Sequence, residues 1–127
     1  MMSMSEKTVA DKMFLKHAKS VAIFNGGACP ALVAQIPAGL IESGAAPVDL
    51  VLLCARNRRE LEQYLAPAIA RLGAKGALWI AYLKATAAKA TDINRDSISA
   101  YAEQNGVTPV AIISVDGDWS ALRLKRL

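Results

Sequence analysis

Apolar residues along this chain come in short blocks, and each block ends at a polar or turn-forming cluster. Val21-Ala22-Ile23-Phe24 has the length of a strand and is stopped by Asn25-Gly26-Gly27. Pro30 suits the first turn of a short helix carrying Leu32, Val33 and Ile36, which Pro37 and Gly39 end. Residues 39–47 are small and loop-like. Val48 to Cys54 reads V-D-L-V-L-L-C, with almost no alternation. A strand of that kind is covered on both faces, which predicts a parallel sheet between helical layers.

Asn57, with Glu60 three residues on, predicts a helix start of the capping-box type. Leu61, Leu65, Ile69 and Leu72 form its apolar stripe, Pro67 should kink its last turns, and Gly73 should close it. Ala77 to Leu83 is a second near-continuous apolar strand, followed by an alanine-rich loop over 85–90. Asp92 or Asn94 caps a helix through Ile98, Tyr101 and Ala102 that Asn105-Gly106 ends. Pro109 to Val115 is a further strand, and Asp116-Gly117-Asp118 a turn. Leu122 and Leu124 alternate with Arg123 and Lys125, predicting a half-exposed edge strand paired antiparallel in a hairpin. Upstream, Thr8, Val9, Asp11, Met13 and Phe14 predict a short helix or turn, with the first dozen residues a frayed segment.

The resulting order is β-α-β-α-β-α-β-β. Right-handed crossovers then make a small three-layer αβα sandwich, its sheet mostly parallel with a C-terminal antiparallel hairpin. At 127 residues the whole chain fits one such domain. A hydrophobic share of 54% supplies a core and excludes disorder as the main state.

Fifteen Lys and Arg against eleven Asp and Glu give a net charge of +4. That excess favours anionic partners without the density of a dedicated nucleic-acid binder. Charges, Pro or Gly interrupt every apolar run before the roughly 18 residues that a membrane helix needs. Glu6, Lys7, Asp11, Lys12, Lys16 and Lys19 leave no apolar stretch for a secretory signal, so a cytoplasmic protein with reduced thiols is expected. Cys29, Cys54 and the single His17 are too few and too scattered for a zinc site.

Ligands of open parallel sheets bind beyond the carboxyl ends of the strands. Three loops are expected there: Asn25 to Cys29, Arg56-Asn57-Arg58-Arg59, and the segment holding Lys84, Lys89, Asp92, Asn94 and Arg95. Basic residues and helix N-termini gather on that face, and both attract anions. A solvated rim of strand-end loops has the same composition. Asn25-Gly26-Gly27 is neither G-x-G-x-x-G nor a P-loop, and a tight strand-to-helix turn accounts for it. Cys29 and Cys54 fall near strand ends, where they read either as a redox pair or as small buried hydrophobes. Asp92 and Asp96 lie one helical turn apart, as paired carboxylates or as residues favouring the positive helix end.

The second half resembles a known family. Gly76 to Lys84 (G-A-L-W-I-A-Y-L-K), Thr91-Asp92-Ile93-Asn94-Arg95-Asp96, and Val115 to Arg123 (V-D-G-D-W-S-A-L-R) are similar to the small bacterial family called domain of unknown function 3052. That family shows L-W-x-x-x-P-K, T-D-[IL]-x-R-D and D-x-x-W-S-x-L-[RK]. The likeness extends over roughly residues 14 to 127. Leu83 replaces the usual proline, and two glycines follow Asn25 where an Ala-Pro pair is typical. The resemblance implies a fold and a site but no reaction. The arrangement is also similar to the back half of a class I methyltransferase, a truncated Rossmann-like fold. It lacks that class's G-x-G turn and the acidic residue for ribose hydroxyls.

The sequence thus leads to a small anionic ligand held at the strand ends. Lys84 and Arg95 would supply charge, Thr91 and Asp92 would orient the loop, and Asn25 with Gly26 would line the floor. The alternatives are a homodimeric interaction module pairing through the Leu122–Leu124 edge, or a group-transfer enzyme with a degenerate methyltransferase-like site. No cofactor and no metal is named by these residues.

Overall fold

The apolar run at 48–54 forms β2 (Val48–Ala55), in which every residue except Asp49 is buried. Its alternate side chains enter two separate cores. Val51, Leu53 and Ala55 face one, and Leu50, Leu52 and Cys54 face the other. This is the covering on both faces that the absence of alternation implies. The computed structural model describes residues 18–36, 38–42, 44, 46–84, 92–116 and 118–127. The expected N-terminal helix, the 85–90 loop and Thr91 lie outside the described residues.

The other elements are β1 (Val21–Phe24), α1 (Pro30–Val33), α2 (Arg58–Ala70), β3 (Leu72–Leu83), α3 (Arg95–Gln104), β4 (Val107–Ser114) and β5 (Trp119–Arg126). The sheet order is β1-β2-β3-β5-β4. β1, β2 and β3 pair in parallel, whereas β5 runs antiparallel to both β3 and β4. The sheet is therefore mixed, not mostly parallel. Helices α2 and α3 supply Leu61, Leu65, Ile98 and Ala102 to the core on one face. On the other face the single-turn α1 and the residues after it supply Leu32 and Ile36 over Trp79, Ala81 and Ala121.

The final strand departs most from the sequence expectation. β5 is not an edge: it inserts between β3 and β4, and Leu122 and Leu124 are buried against β3 partners Ile80 and Leu78. The alternation with Arg123 and Lys125 reflects two unequal faces of an internal strand rather than a free margin. β4 is the edge instead, with Val110 and Ile112 exposed. The homodimer expectation therefore loses the free strand on which it rested.

Element boundaries shift for local reasons. α2 ends at Ala70, one turn past Pro67, and β3 begins at Leu72, so Gly73 lies inside the strand rather than closing the helix. Arg126 of β5 caps this helix end, donating to the carbonyls of Ile69 and Leu72 at 3.0 and 2.6 Å. β4 starts at Val107, directly after Gly106, whose φ of +89° reverses the chain out of α3.

Candidate functional site

The three strand-end loops lie where the sequence placed them, but they do different things. In the first, Asn25 adopts a left-handed conformation (φ 59°, ψ 36°). Its Nδ2 donates to the Cys54 carbonyl at 2.8 Å, and its amide also meets the Glu60 carboxylate. Residues Gly26–Ala28 follow as a 3-10 turn, and a Cβ on Gly26 would stand 2.8 Å from Ile23 Cγ2. This loop folds onto the sheet, and its polar group is spent on holding β1 to β2.

The second loop is an ion-paired cap. Asn57 Oδ1 accepts from the Glu60 backbone N–H at 2.9 Å, as the spacing implies. Glu60 reaches back one residue further than in a capping box, accepting from the Arg56 backbone N–H and from its guanidinium. The Arg56 contact holds the Glu60 carboxyl below its usual range, opposed in part by burial. Arg58 pairs with Glu62 at 2.7 Å, and its guanidinium lies 4.6 Å from the Tyr101 ring centroid, joining α2 to α3.

The third loop forms a cleft. Tyr82, Lys84, Asn94, Arg95, Asp96, Ile112 and Ser120 line a space of about 380 Å³ beside the carboxyl end of β3. Lys84 Nζ donates to Ser114 Oγ at 2.7 Å, which fixes the ammonium at the rim. Its backbone N–H donates to the Asp118 carbonyl at 2.7 Å. Tyr82 and Ser120 are register partners, both buried, and both line the cleft. Burial pushes the Tyr82 phenol above its ordinary value, with Arg95 and Ser120 pulling the other way, so the hydroxyl keeps its proton at neutral pH. Arg95 meets Asp96 only loosely, at 3.7 Å, with both side chains well exposed.

α3 begins at this cleft. Asn94 is its N-cap, in a reciprocal capping box with Ser97 at 2.9 Å each way. The positive end of a ten-residue helix thus faces the same space as Lys84 and Arg95. Asp92 is not the cap of α3 and does not line the cleft: its carboxylate accepts from the Arg58 backbone N–H at 2.8 Å, closing the N-terminus of α2. The paired-carboxylate reading of Asp92 and Asp96 fails for the same reason.

Of the residues singled out from sequence, Lys84 and Arg95 come together, Asp92 stands apart against the N-terminus of α2, and Asn25 and Gly26 lie beyond β2 at the end of β1. Thr91 lies outside the described residues. Tyr82, Ser114, Ser120 and Ile112 were missed. They reach the cleft through the β3–β5–β4 register, which a sequence does not display. The turn before β5 is closed by Asp116, whose carboxylate accepts from the N–H groups of Asp118 and Trp119 at 2.8 Å. Among the described residues no cluster of His, Cys, Asp and Glu is arranged to hold a metal, and no helix is long and apolar enough to cross a membrane.

The fold is similar to that of several methyltransferases of known structure. It is similar to an O-methyltransferase family protein from Burkholderia thailandensis (TM-score 0.63, 14% identity, covering 93% of this chain and 56% of that one). It is also similar to the ribosomal protein L11 methylase from Lactobacillus delbrueckii subsp. bulgaricus (0.59, 12%, 91% and 73%). The mitomycin 7-O-methyltransferase MmcR gives 0.64 at 11% identity, over 87% of this chain and 49% of that one. The chain spans about half the length of the first and third of these, and at such identities the likeness is one of fold. No curated protein matches it in sequence. Residues 31–127 match the family described as Protein of unknown function (DUF3052), and the chain belongs to that family. The cleft lies wholly within the matched span; Asn25 and Gly26 precede it.

Proposed function

We propose that this protein binds a small anionic ligand in the cleft between β3, β5 and the start of α3. The observation that carries the reading is the convergence of Lys84, Arg95 and the N-terminus of α3 on one space floored by the Tyr82 and Ser120 hydroxyls. Lys84 is held in place by Ser114, so little side-chain entropy is left to lose when an anion arrives. Asp96 faces the same rim and opposes a high negative charge, which favours a phosphate monoester or carboxylate over a polyanion.

An adenosyl cofactor is the natural comparison, because the similarly folded O-methyltransferase NcsB1 is seen in complex with S-adenosylmethionine. The residues after β1 do not fit such a group. Asn25 is committed to Cys54 and Glu60, Gly26 backs onto the Ile23 and Val33 side chains, and the nearby carboxylate, Glu60, is paired with Arg56. Anion binding therefore carries the functional reading, and methyl transfer does not.

Thermal-shift measurements with inorganic phosphate, nucleoside monophosphates, acyl phosphates and simple carboxylates, at matched ionic strength, test it. A melting temperature that climbs with one anion class, and climbs less in Lys84→Ala, is the expected result. No rise with any anion at millimolar concentration, or equal rises in both proteins, overturns the reading.

A further inference from the structure

The cleft has a wall that charge does not use. Ile112 lines it together with Lys84 and Arg95, yet 45% of Ile112 is open to water. The cause is its strand: β4 is the edge of the sheet, and among the described residues no strand lies beyond it. Its register partner Leu122 is buried in the core beneath α2 and α3. Antiparallel partners point to one face, so Ile112 stands on the cleft side of the sheet.

Ser114 follows two residues later on the same face, about 7 Å away at the rise of a strand. Its Oγ is the atom that holds Lys84 Nζ, at 2.7 Å. Cation and apolar wall are thus one strand repeat apart. An anion seated on Lys84 carries whatever is bonded to it over Ile112. The room agrees with this, since 380 Å³ is the share of roughly a dozen waters at ~30 Å³ each. A bare phosphate would leave most of that space, and Ile112, to water.

We infer that the ligand is an organic anion, a phosphate monoester or carboxylate whose head meets Lys84 and Arg95 and whose compact apolar body packs on Ile112. On the anion-binding reading of the same cleft, on which this assignment rests, inorganic ions satisfy only the charged half. Each methylene taken fully out of water multiplies affinity about fourfold, and an open cleft realises part of that.

Calorimetric titration of the full-length protein with two matched pairs tests it: methyl and butyl phosphate, and acetate and pentanoate, at constant ionic strength. Within a pair the charge is the same and only three methylenes differ. For the head group that binds, the longer member should bind at least about threefold tighter. Ile112→Thr keeps β-branching at an exposed edge position and should remove that gain, while the short member binds as in wild type. Val110 is as exposed on the same strand but does not line the cleft, so Val110→Thr should keep the gain.

A smaller wild-type ratio would overturn the assignment and leave anion binding in place. So would a gain that survives in Ile112→Thr, or one lost equally in Val110→Thr. Binding of none of the four probes would remove the anion-binding reading itself, and the organic ligand with it. The wild-type ratios stand whether or not the variants fold.

Discussion

The Asp92 carboxylate caps a helix that begins 34 residues before it, accepting the Arg58 backbone N–H at 2.8 Å. Asn57 already satisfies one amide of that first turn through Glu60 N–H, so α2 starts with two side-chain acceptors, one local and one from the loop after β3. The chain that leads to the cleft is therefore anchored to a neighbouring helix. Arg58 adds a second tie through its guanidinium over Tyr101 of α3.

Asp92→Ala should consequently behave as the loss of a cap. It is expected to destabilise by about 1 kcal/mol in chemical denaturation. Intrinsic anion affinity under native conditions should change less than in Lys84→Ala. A variant that keeps full stability while losing anion binding would make Asp92 a ligand contact instead.

Trp119 and Lys84 separate packing from function. The Trp119 ring packs at the margin of the core beneath α1 and is half-buried, so Trp119→Ala should cost about 2 kcal/mol, less than the ~3–5 kcal/mol of a fully buried aromatic. Lys84→Ala should stay within about 0.5 kcal/mol of wild type, because a partly exposed lysine contributes little to folding. Urea denaturation of both variants checks the contrast, and the reverse ranking would contradict it.

Gly106 sits at φ +89° between α3 and β4, with open space around the position of a Cβ. Gly106→Ala meets no clash, so its whole cost is backbone strain, expected at about 1 kcal/mol. An unchanged melting temperature would mean that the turn relaxes out of the left-handed region.

Acid should weaken the α2 cap in a stated direction. Glu60 is held below its usual range by Arg56, so its folded value lies under its unfolded one. The stability it contributes is fully present above the unfolded value, about pH 4.3, and is lost as pH falls through the folded value. Glu60→Gln should therefore be less stable than wild type at pH 7, and the gap should close on acidification toward pH 2. A gap independent of pH would place the effect in packing rather than in charge.

Much of the fold was legible because single residues mark it. The uninterrupted V-D-L-V-L-L-C run carries the two-sided burial of β2, and Asn57, Asn94 and Gly106 sit at helix ends where capping chemistry needs them. The place of β5 was not legible, because Leu122 and Leu124 alternate with charges whether a strand is central or marginal. Strand order is set by long-range pairing, and the same limit hid most of the site. Lys84 and Arg95 announce themselves as loop cations, but Tyr82 and Ser120 meet only through cross-strand register. Asp92 misled because an acid two residues before an N-cap is an equally good local cap on paper.

Backbone amide spectra of the isotopically labelled protein, titrated with inorganic phosphate or a phosphate monoester at constant ionic strength, test anion binding at the cleft most directly. The expected result is a saturable set of shifts centred on Lys84, Asn94, Arg95, Asp96 and Ser120, lost in Lys84→Ala while the rest of the spectrum is kept. Shifts confined to the Asn25–Gly27 turn, or scattered and unsaturable over the exposed lysines and arginines, would contradict it.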